Sequence, residues 1–191
     1  MTSAELPPTP SSAAAPATTD GAESQPVTGS TIDELLRRHD QGPDHGAPEV
    51  PTPVPSLHVA IVTCMDARIK VFDVFGLKHG ETHILRNAGG VVTDDVIRSL
   101  AISQRKLGTR EIVIMQHTSC GMSLITEDGF RDELQADTGL RPTWAVEAFT
   151  DVEASVRQSV ARVRHSPFLK LTTGVRGFVY DVHTAKIREV T

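Results

Sequence analysis

Two short runs of mainly apolar, β-branched residues predict buried strands of a sheet. The first run covers residues 58–63 (HVAIVT) and the second covers residues 111–116 (EIVIMQ). Apolar residues take consecutive positions in both runs, which is typical of strands covered on both faces; a strand with one wet face alternates instead. A shorter segment, residues 83–86 (HILR), predicts another strand between them.

The stretches between and after these strands have apolar residues at helical spacing. Thr93 is expected to cap one helix, and Asp94 and Asp95 complement the positive end of its dipole. Gly108 is expected to end that helix, because glycine readily takes the left-handed conformation. Helices are predicted at residues 69–75, 94–107, 127–137 and 152–164.

Two segments near the C-terminus, residues 178–182 and 186–190, flank a short turn and predict a hairpin. Alternation of strands and helices upstream of it indicates a parallel sheet covered on both faces. The predicted fold class is therefore α/β, with a mostly parallel central sheet flanked by helices. The C-terminal hairpin is expected to be antiparallel and to lie at one edge.

The N-terminal part of the chain divides into two segments of different character. Residues 1–29 are rich in Ala, Pro, Ser and Thr, which predicts a disordered tail; a docking segment for a partner is the alternative. Residues 30–55 predict a short helix and a proline-rich connector. Thr31 and Glu34 fit a capping box at the start of that helix. Residues 56–191 form the predicted folded domain.

Composition excludes several classes of function. The 191 residues include 24 acidic and 19 basic ones, giving a net charge of −5. Nucleic-acid binding depends on clustered Lys and Arg, so we expect no nucleic-acid partner. Neither a membrane span nor a secretory signal is predicted, and the expected location is the cytoplasm. Only two cysteines are present, which argues against a disulfide-stapled fold.

Both cysteines lie at the predicted ends of strands. Residues 64–68 (CMDAR) follow the first strand, and residues 117–121 (HTSCG) follow the strand that ends at residue 116. Sites in open α/β sheets form at the carboxyl ends of strands, because loops converge there. The pattern therefore predicts one candidate site that contains Cys64, His117 and Cys120.

Two thiolates and one imidazole suit Zn²⁺, which prefers a tetrahedron of ligands. A structural zinc site is usually filled by four Cys or His side chains, and this chain has no third cysteine. The fourth position would then belong to water or to Asp66, a conditional oxygen ligand. Two buried apolar cysteines or an incidental redox pair are the plainer readings.

Asp66 and Arg68 suggest a device that controls this fourth position. Arg68 can hold the Asp66 carboxylate in a bidentate pair and keep it off the metal, whereas a released carboxylate could bind zinc and displace water. The spacing alone motivates this hypothesis. An ordinary surface ion pair, worth at most about 1 kcal/mol, is the alternative.

These motifs, together with residues 86–90 (RNAGG), resemble the signature of the β-carbonic anhydrases, in the compact form of small bacterial and archaeal members. The resemblance covers residues 56 to the C-terminus and implies that this is the catalytic domain. It implies zinc held by Cys64, His117 and Cys120, and catalysis supported by Asp66 and Arg68. It also implies a homodimer or homotetramer, with residues 30–40 lying across a partner subunit.

The expected reaction is the reversible hydration of carbon dioxide to bicarbonate and a proton, by attack of zinc-bound hydroxide. One alternative is a hydrolase of carbonyl sulfide or carbon disulfide on the same fold, which would use identical ligands. A second is a non-catalytic zinc- or redox-responsive binding protein. Nucleotide binding is disfavoured, since the sequence has neither of the glycine-rich phosphate-binding motifs.

Overall fold

A computed structural model describes residues 30–42 and 52–190. The chain divides into two units, Met1–Ala47 and Pro48–Thr191. The first contributes one described helix, and the second contains all the other described elements. The predicted tail at residues 1–29 and most of the proline-rich connector lie outside the described residues.

Helix α1 (Thr31–Gln41) begins one residue earlier than the capping-box prediction required. Ser30 is the N-cap, and its hydroxyl accepts a hydrogen bond from the amide of Ile32 at 3.2 Å. The prediction that Thr31 and Glu34 form the box was wrong. The Glu34 carboxylate instead pairs with Arg37 at 2.6 Å and Arg38 at 2.7 Å, because these guanidiniums lie on the same helix face and make charge-assisted bonds.

A single five-stranded sheet forms the centre of the second unit. Its strands, in spatial order, are β2 (Thr82–Asn87), β1 (Val59–Cys64), β3 (Glu111–His117), β4 (Val175–Tyr180) and β5 (Ile187–Val190). The first four are parallel and β5 is antiparallel to β4, which confirms the predicted fold class. Because β4 pairs in parallel with β3, only β5 of the C-terminal hairpin runs antiparallel.

Strand boundaries differ from the predictions by a few residues, for local reasons. His58 has a φ of 53°, so β1 starts at Val59. The two predicted ligands at strand ends belong to the strands themselves, since β1 ends at Cys64 and β3 ends at His117. β4 begins at Val175, three residues before the start expected from its apolar run.

The helices of the second unit end and begin near the expected capping residues. The Thr93 hydroxyl accepts from the amide of Val96, and Gly108 takes a left-handed φ of 74° after the same helix, as predicted. The first helix is shorter than expected, since Ile69 is held in a turn by the Asp66 carbonyl. The observed helices are α2 (Val71–Phe75), α3 (Asp94–Leu107), α4 (Glu127–Thr138) and α5 (Val152–Arg164).

Apolar side chains cover both faces of the sheet in two separate clusters. One joins strand residues such as Ile114 to Leu100 of α3 and Val156 of α5. The other joins Ile61 and Met115 to α2, and it also contains the two cysteines. Consecutive residues of β1 and β3 are therefore buried, which explains their unbroken apolar runs. In the described part of the chain, no helix has the length and apolar character needed to cross a membrane.

Candidate metal centre

The parallel pairing of β1 with β3 brings the two cysteines to the same edge of the sheet. Thr63 is paired with Met115, so both strands end side by side. Cys64 ends β1, and Cys120 follows β3 by three residues; the side chains of both are buried. Their sulfur atoms are 3.9 Å apart although 56 positions separate them in the sequence. Both cysteines are free.

His117 presents an unused nitrogen to this pair of thiols. Its side chain is fully buried, and Nδ1 lies 2.9 Å from the carbonyl oxygen of Thr118. Since a carbonyl only accepts, Nδ1 donates this bond and Nε2 is left with a lone pair. Nε2 is buried without a hydrogen-bond partner among the described residues. Such an orphaned buried acceptor is costly unless it binds something else.

The ligand atoms of Cys64, His117 and Cys120 all lie within 4.8 Å of one another. This spacing suits three corners of a metal's coordination sphere, and two sulfurs with one imidazole are a soft donor set. The orphaned Nε2 would be satisfied by a cation placed among them. The three predicted ligands thus come together as a group that could hold a metal ion.

Ionisation of the two thiols is coupled. The two sulfurs share one hydrogen bond, in which either can be the donor; this bond lowers the pKa of Cys64 below its usual range and raises the pKa of Cys120 above it. The pair therefore releases its first proton easily and holds the second one. A bound cation would take the place of that second proton, because metal ligands must be thiolates.

Asp66 lies next to the three ligands and is held by Arg68. Nε and one terminal nitrogen of Arg68 donate to the two carboxylate oxygens at 2.9 and 2.7 Å, and the Arg68 amide adds a third bond at 2.9 Å. The guanidinium keeps the pKa of Asp66 well below its usual range. The second carboxylate oxygen is 3.7 Å from Nε2 of His117. The predicted pair is therefore present, and it borders the ligand group.

Arg86 and Gly90, both within the RNAGG segment, support the backbone at the end of β1, from Cys64 to Asp66. Arg86 donates to the carbonyl oxygens of Cys64 at 2.9 Å and of Asp66 at 2.6 Å. Gly90 has a φ of 65°, and a Cβ added to it would lie 2.6 Å from the Cys64 nitrogen. Position 90 therefore accommodates only a residue without a side chain, and the two bonds of Arg86 have no signature in the sequence.

Comparison with known proteins agrees with this geometry. The sequence model of a family described as carbonic anhydrase matches residues 59–145. A curated relative, β-carbonic anhydrase 1 of Mycobacterium tuberculosis, is 56% identical over 142 residues, which cover 74% of this chain and 87% of the relative. The chain belongs to the β-carbonic anhydrase family. This membership identifies it as an enzyme of the carbonic anhydrase class, as the sequence motifs predicted.

Two further relatives show how widely this fold is used. The crystal structure of a carbonic anhydrase from Streptococcus mutans superposes with a TM-score of 0.79 at 42% identity, covering 85% of this chain and 99% of that one. A carbon disulfide hydrolase of Saccharolobus solfataricus is 34% identical over 154 residues, covering 68% of this chain and 75% of the relative. The β-carbonic anhydrase fold therefore also occurs in enzymes named for another substrate.

Proposed function

We propose that the chain catalyses the zinc-dependent, reversible hydration of carbon dioxide to bicarbonate and a proton. The observation that carries the proposal is the buried group of Cys64, His117 and Cys120, in which Nε2 of His117 is orphaned beside two thiols. Two sulfurs and one imidazole are a preferred donor set for zinc, and three protein ligands leave one position open. Zinc would supply the Lewis acidity that makes hydroxide available from water near neutral pH.

Asp66 and Arg68 would have separate roles in this reaction. Arg68 keeps the carboxylate ionised and turned toward the guanidinium, so that the open position stays accessible. One oxygen of Asp66 is nevertheless only 3.7 Å from Nε2 of His117, which is close enough for it to serve as a conditional fourth ligand. We therefore propose that Asp66 acts in catalysis as the conditional fourth ligand, and that Arg68 supports catalysis by controlling the position of the Asp66 carboxylate.

Stopped-flow hydration of carbon dioxide with a pH indicator tests the proposal on reduced, zinc-loaded protein. We expect saturable acceleration that depends on the metal, and its loss in a Cys120→Ser variant, which replaces a soft ligand by a weak one. Zinc content is measured on the same samples. Protein that binds one zinc ion per chain but does not accelerate hydration would contradict the proposed reaction.

Carbon disulfide or carbonyl sulfide hydrolysis is the second candidate. The relative from Saccharolobus solfataricus supports it, whereas the much higher identity to β-carbonic anhydrase 1 favours carbon dioxide. Measuring turnover of all three substrates on one zinc-loaded preparation distinguishes the two readings. We expect kcat/KM to be highest for carbon dioxide; a higher value for a sulfur-containing substrate would reverse the assignment.

We further propose that residues 56–191 are the catalytic domain and that the chain assembles as a homodimer or homotetramer. Helix α1 supports assembly, because Ile32, Leu35 and Leu36 are 67%, 57% and 58% exposed. Burial of these side chains against a partner subunit would stabilise an oligomer. Sedimentation velocity should show a smaller particle for Leu35→Glu than for wild type, and an unchanged particle for the matched control Asp33→Asn.

A further inference from the structure

The turn between β4 and β5 is bonded to the loop that carries two of the three ligands. We call residues 181–186 the hairpin turn and residues 117–120 the ligand loop. Two hydrogen bonds join them: the Thr118 hydroxyl accepts from the amide of Val182 at 3.2 Å, and the hydroxyl of Ser119 and Nε2 of His183 share a bond at 3.3 Å. The Thr118 amide also donates to the carbonyl of Tyr180, the last residue of β4, at 2.9 Å.

Ser119 needs such support because its backbone is strained. Its φ of 55° lies in the left-handed region, which is strained for a residue other than glycine because Cβ approaches the backbone. Its carbonyl oxygen accepts from Arg68 at 3.0 Å. The ligand loop is thus bonded both to the hairpin turn and to Arg68, which also holds Asp66.

The hairpin turn is well ordered by its own hydrogen bonds, although most of its side chains are exposed. The Asp181 carboxylate accepts from the amides of His183 at 2.8 Å and Thr184 at 3.2 Å. The Asp181 amide donates to the carbonyl of Lys186, and the Asp181 carbonyl accepts from the amide of Ala185. A turn fixed in this way can act as a rigid support for its neighbour.

We propose that the hairpin turn is a positioning element for the metal. By holding Thr118 and Ser119, it fixes the directions in which His117 and Cys120 present their ligand atoms. Thr118, Ser119 and His183 are then positioning residues and take no part in the chemistry themselves. The inference rests on the proposed function in one respect, namely that the ligand group binds zinc.

Metal affinity and a cobalt spectrum test the proposal. Thr118→Val removes the hydroxyl that accepts from Val182, and Ser119→Gly removes the bond to His183 while glycine tolerates the positive φ. Loss of a hydrogen bond made directly to a metal ligand typically weakens metal binding by about 10- to 100-fold, and these bonds are made by residues next to the ligands. We therefore expect a rise of about tenfold in the zinc Kd, measured by chelator competition, and altered ligand-field bands in the cobalt(II) protein.

Two further variants separate positioning from general destabilisation. Thr118→Ser keeps the hydroxyl and should restore the wild-type Kd and cobalt spectrum. Lys186→Ala changes a side chain in the same turn but keeps the backbone carbonyl that bonds Asp181, so it should behave as wild type. If wild type binds zinc tightly and both Thr118→Val and Ser119→Gly bind it with the same Kd, the positioning role is overturned and the proposed function is not affected. A wild-type chain that binds no zinc overturns the proposed function as well.

Discussion

Arg68 divides its guanidinium between two neighbours of the ligand group. Two of its side-chain bonds go to the Asp66 carboxylate and one goes to the carbonyl oxygen of Ser119. Half of the Arg68 side chain is exposed, whereas Asp66 is only 18% exposed. A half-exposed guanidinium therefore holds a carboxylate that lies beside the buried ligand group.

Replacing Arg68 tests this control at the scale of one residue. In Arg68→Ala the carboxylate loses its two side-chain bonds and can turn toward the ligand atoms, so the open position becomes less accessible. We expect kcat/KM for carbon dioxide hydration near neutral pH to fall by about 10- to 100-fold while zinc content stays unchanged. Arg98→Ala is the matched control. It also removes an exposed arginine that is paired with an aspartate, here Asp95 of α3. Unaltered activity in zinc-loaded Arg68→Ala would count against the control of Asp66 by Arg68.

At the scale of elements, the short 3₁₀ turn Ala88–Gly90 packs directly on the end of β1. A Cβ at position 90 would lie 2.6 Å from the Cys64 nitrogen and 2.8 Å from the Thr63 carbonyl carbon. These are backbone atoms of a central strand, so they cannot move without displacing a ligand. The turn therefore couples the backbone shape of the RNAGG segment to the position of Cys64.

A pair of glycine substitutions separates this contact from ordinary backbone strain. Gly76 has a similar φ of 61° but no atom within 4 Å of an added Cβ. We expect Gly76→Ala to lower the free energy of unfolding by about 1 kcal/mol. Gly90→Ala should cost at least about 3 kcal/mol, because backbone overlap adds to the strain. Urea unfolding of the metal-free proteins measures both, and equal losses would exclude the close contact.

Helix α1 offers a pH test at the same scale. The hydrogen bonds from Arg37 and Arg38 lower the pKa of Glu34 from 4.5 to about 2. Because the folded pKa is the lower one, this contribution to helix stability is present above pH 4.5 and is lost as the pH falls toward 2. We expect the α1 amide signals in NMR spectra to move toward coil values across that window.

Glu34→Gln provides the control for this titration. The neutral side chain has no proton to gain, so the pH-dependent movement that belongs to Glu34 should be missing in the variant. The α1 signals of the variant should also start closer to coil values near pH 6, because the two charge-assisted bonds are already weakened. Identical titration curves for variant and wild type would show that Glu34 is not responsible.

On the scale of the whole molecule, binding of metal should add directly to stability. The ligand group exists only when β1 and β3 are paired, so zinc would bind the folded chain in preference to the unfolded one. At a free zinc concentration of 100 times Kd, the free energy of unfolding should rise by about 2.7 kcal/mol. Urea unfolding with zinc and with excess chelator measures this difference, and Cys64→Ser should reduce it strongly.

Much of this architecture could be predicted because it follows from patterns that are local in the sequence. The unbroken apolar runs of β1 and β3 reflect burial on both faces, and the carboxyl ends of parallel strands meet at one edge. These two patterns are sufficient to predict that Cys64, His117 and Cys120 belong to one site. Thr93 and Gly108 marked the ends of α3 because capping depends on adjacent residues only.

The remaining features depend on tertiary contacts or on a choice between near-equal local options. Ser30 and Thr31 both carry a hydroxyl suited to an N-cap, and the sequence does not rank them. The sequence gives no sign of the left-handed conformation of Ser119, because serine rarely adopts a positive φ. Likewise, the bonds of Arg86 to the loop after β1 arise because β2 lies beside β1, with Asn87 in register with Cys64.

The long separation between the two cysteines has a consequence for how the protein matures. Loop closure over 56 positions and parallel strand pairing must both be complete before the sulfurs meet. We therefore expect zinc to bind after the strands have paired, so that it would not template the fold. Added metal should leave the rate of refolding unchanged and slow the rate of unfolding. The ion would then stabilise the folded state without stabilising the transition state for folding.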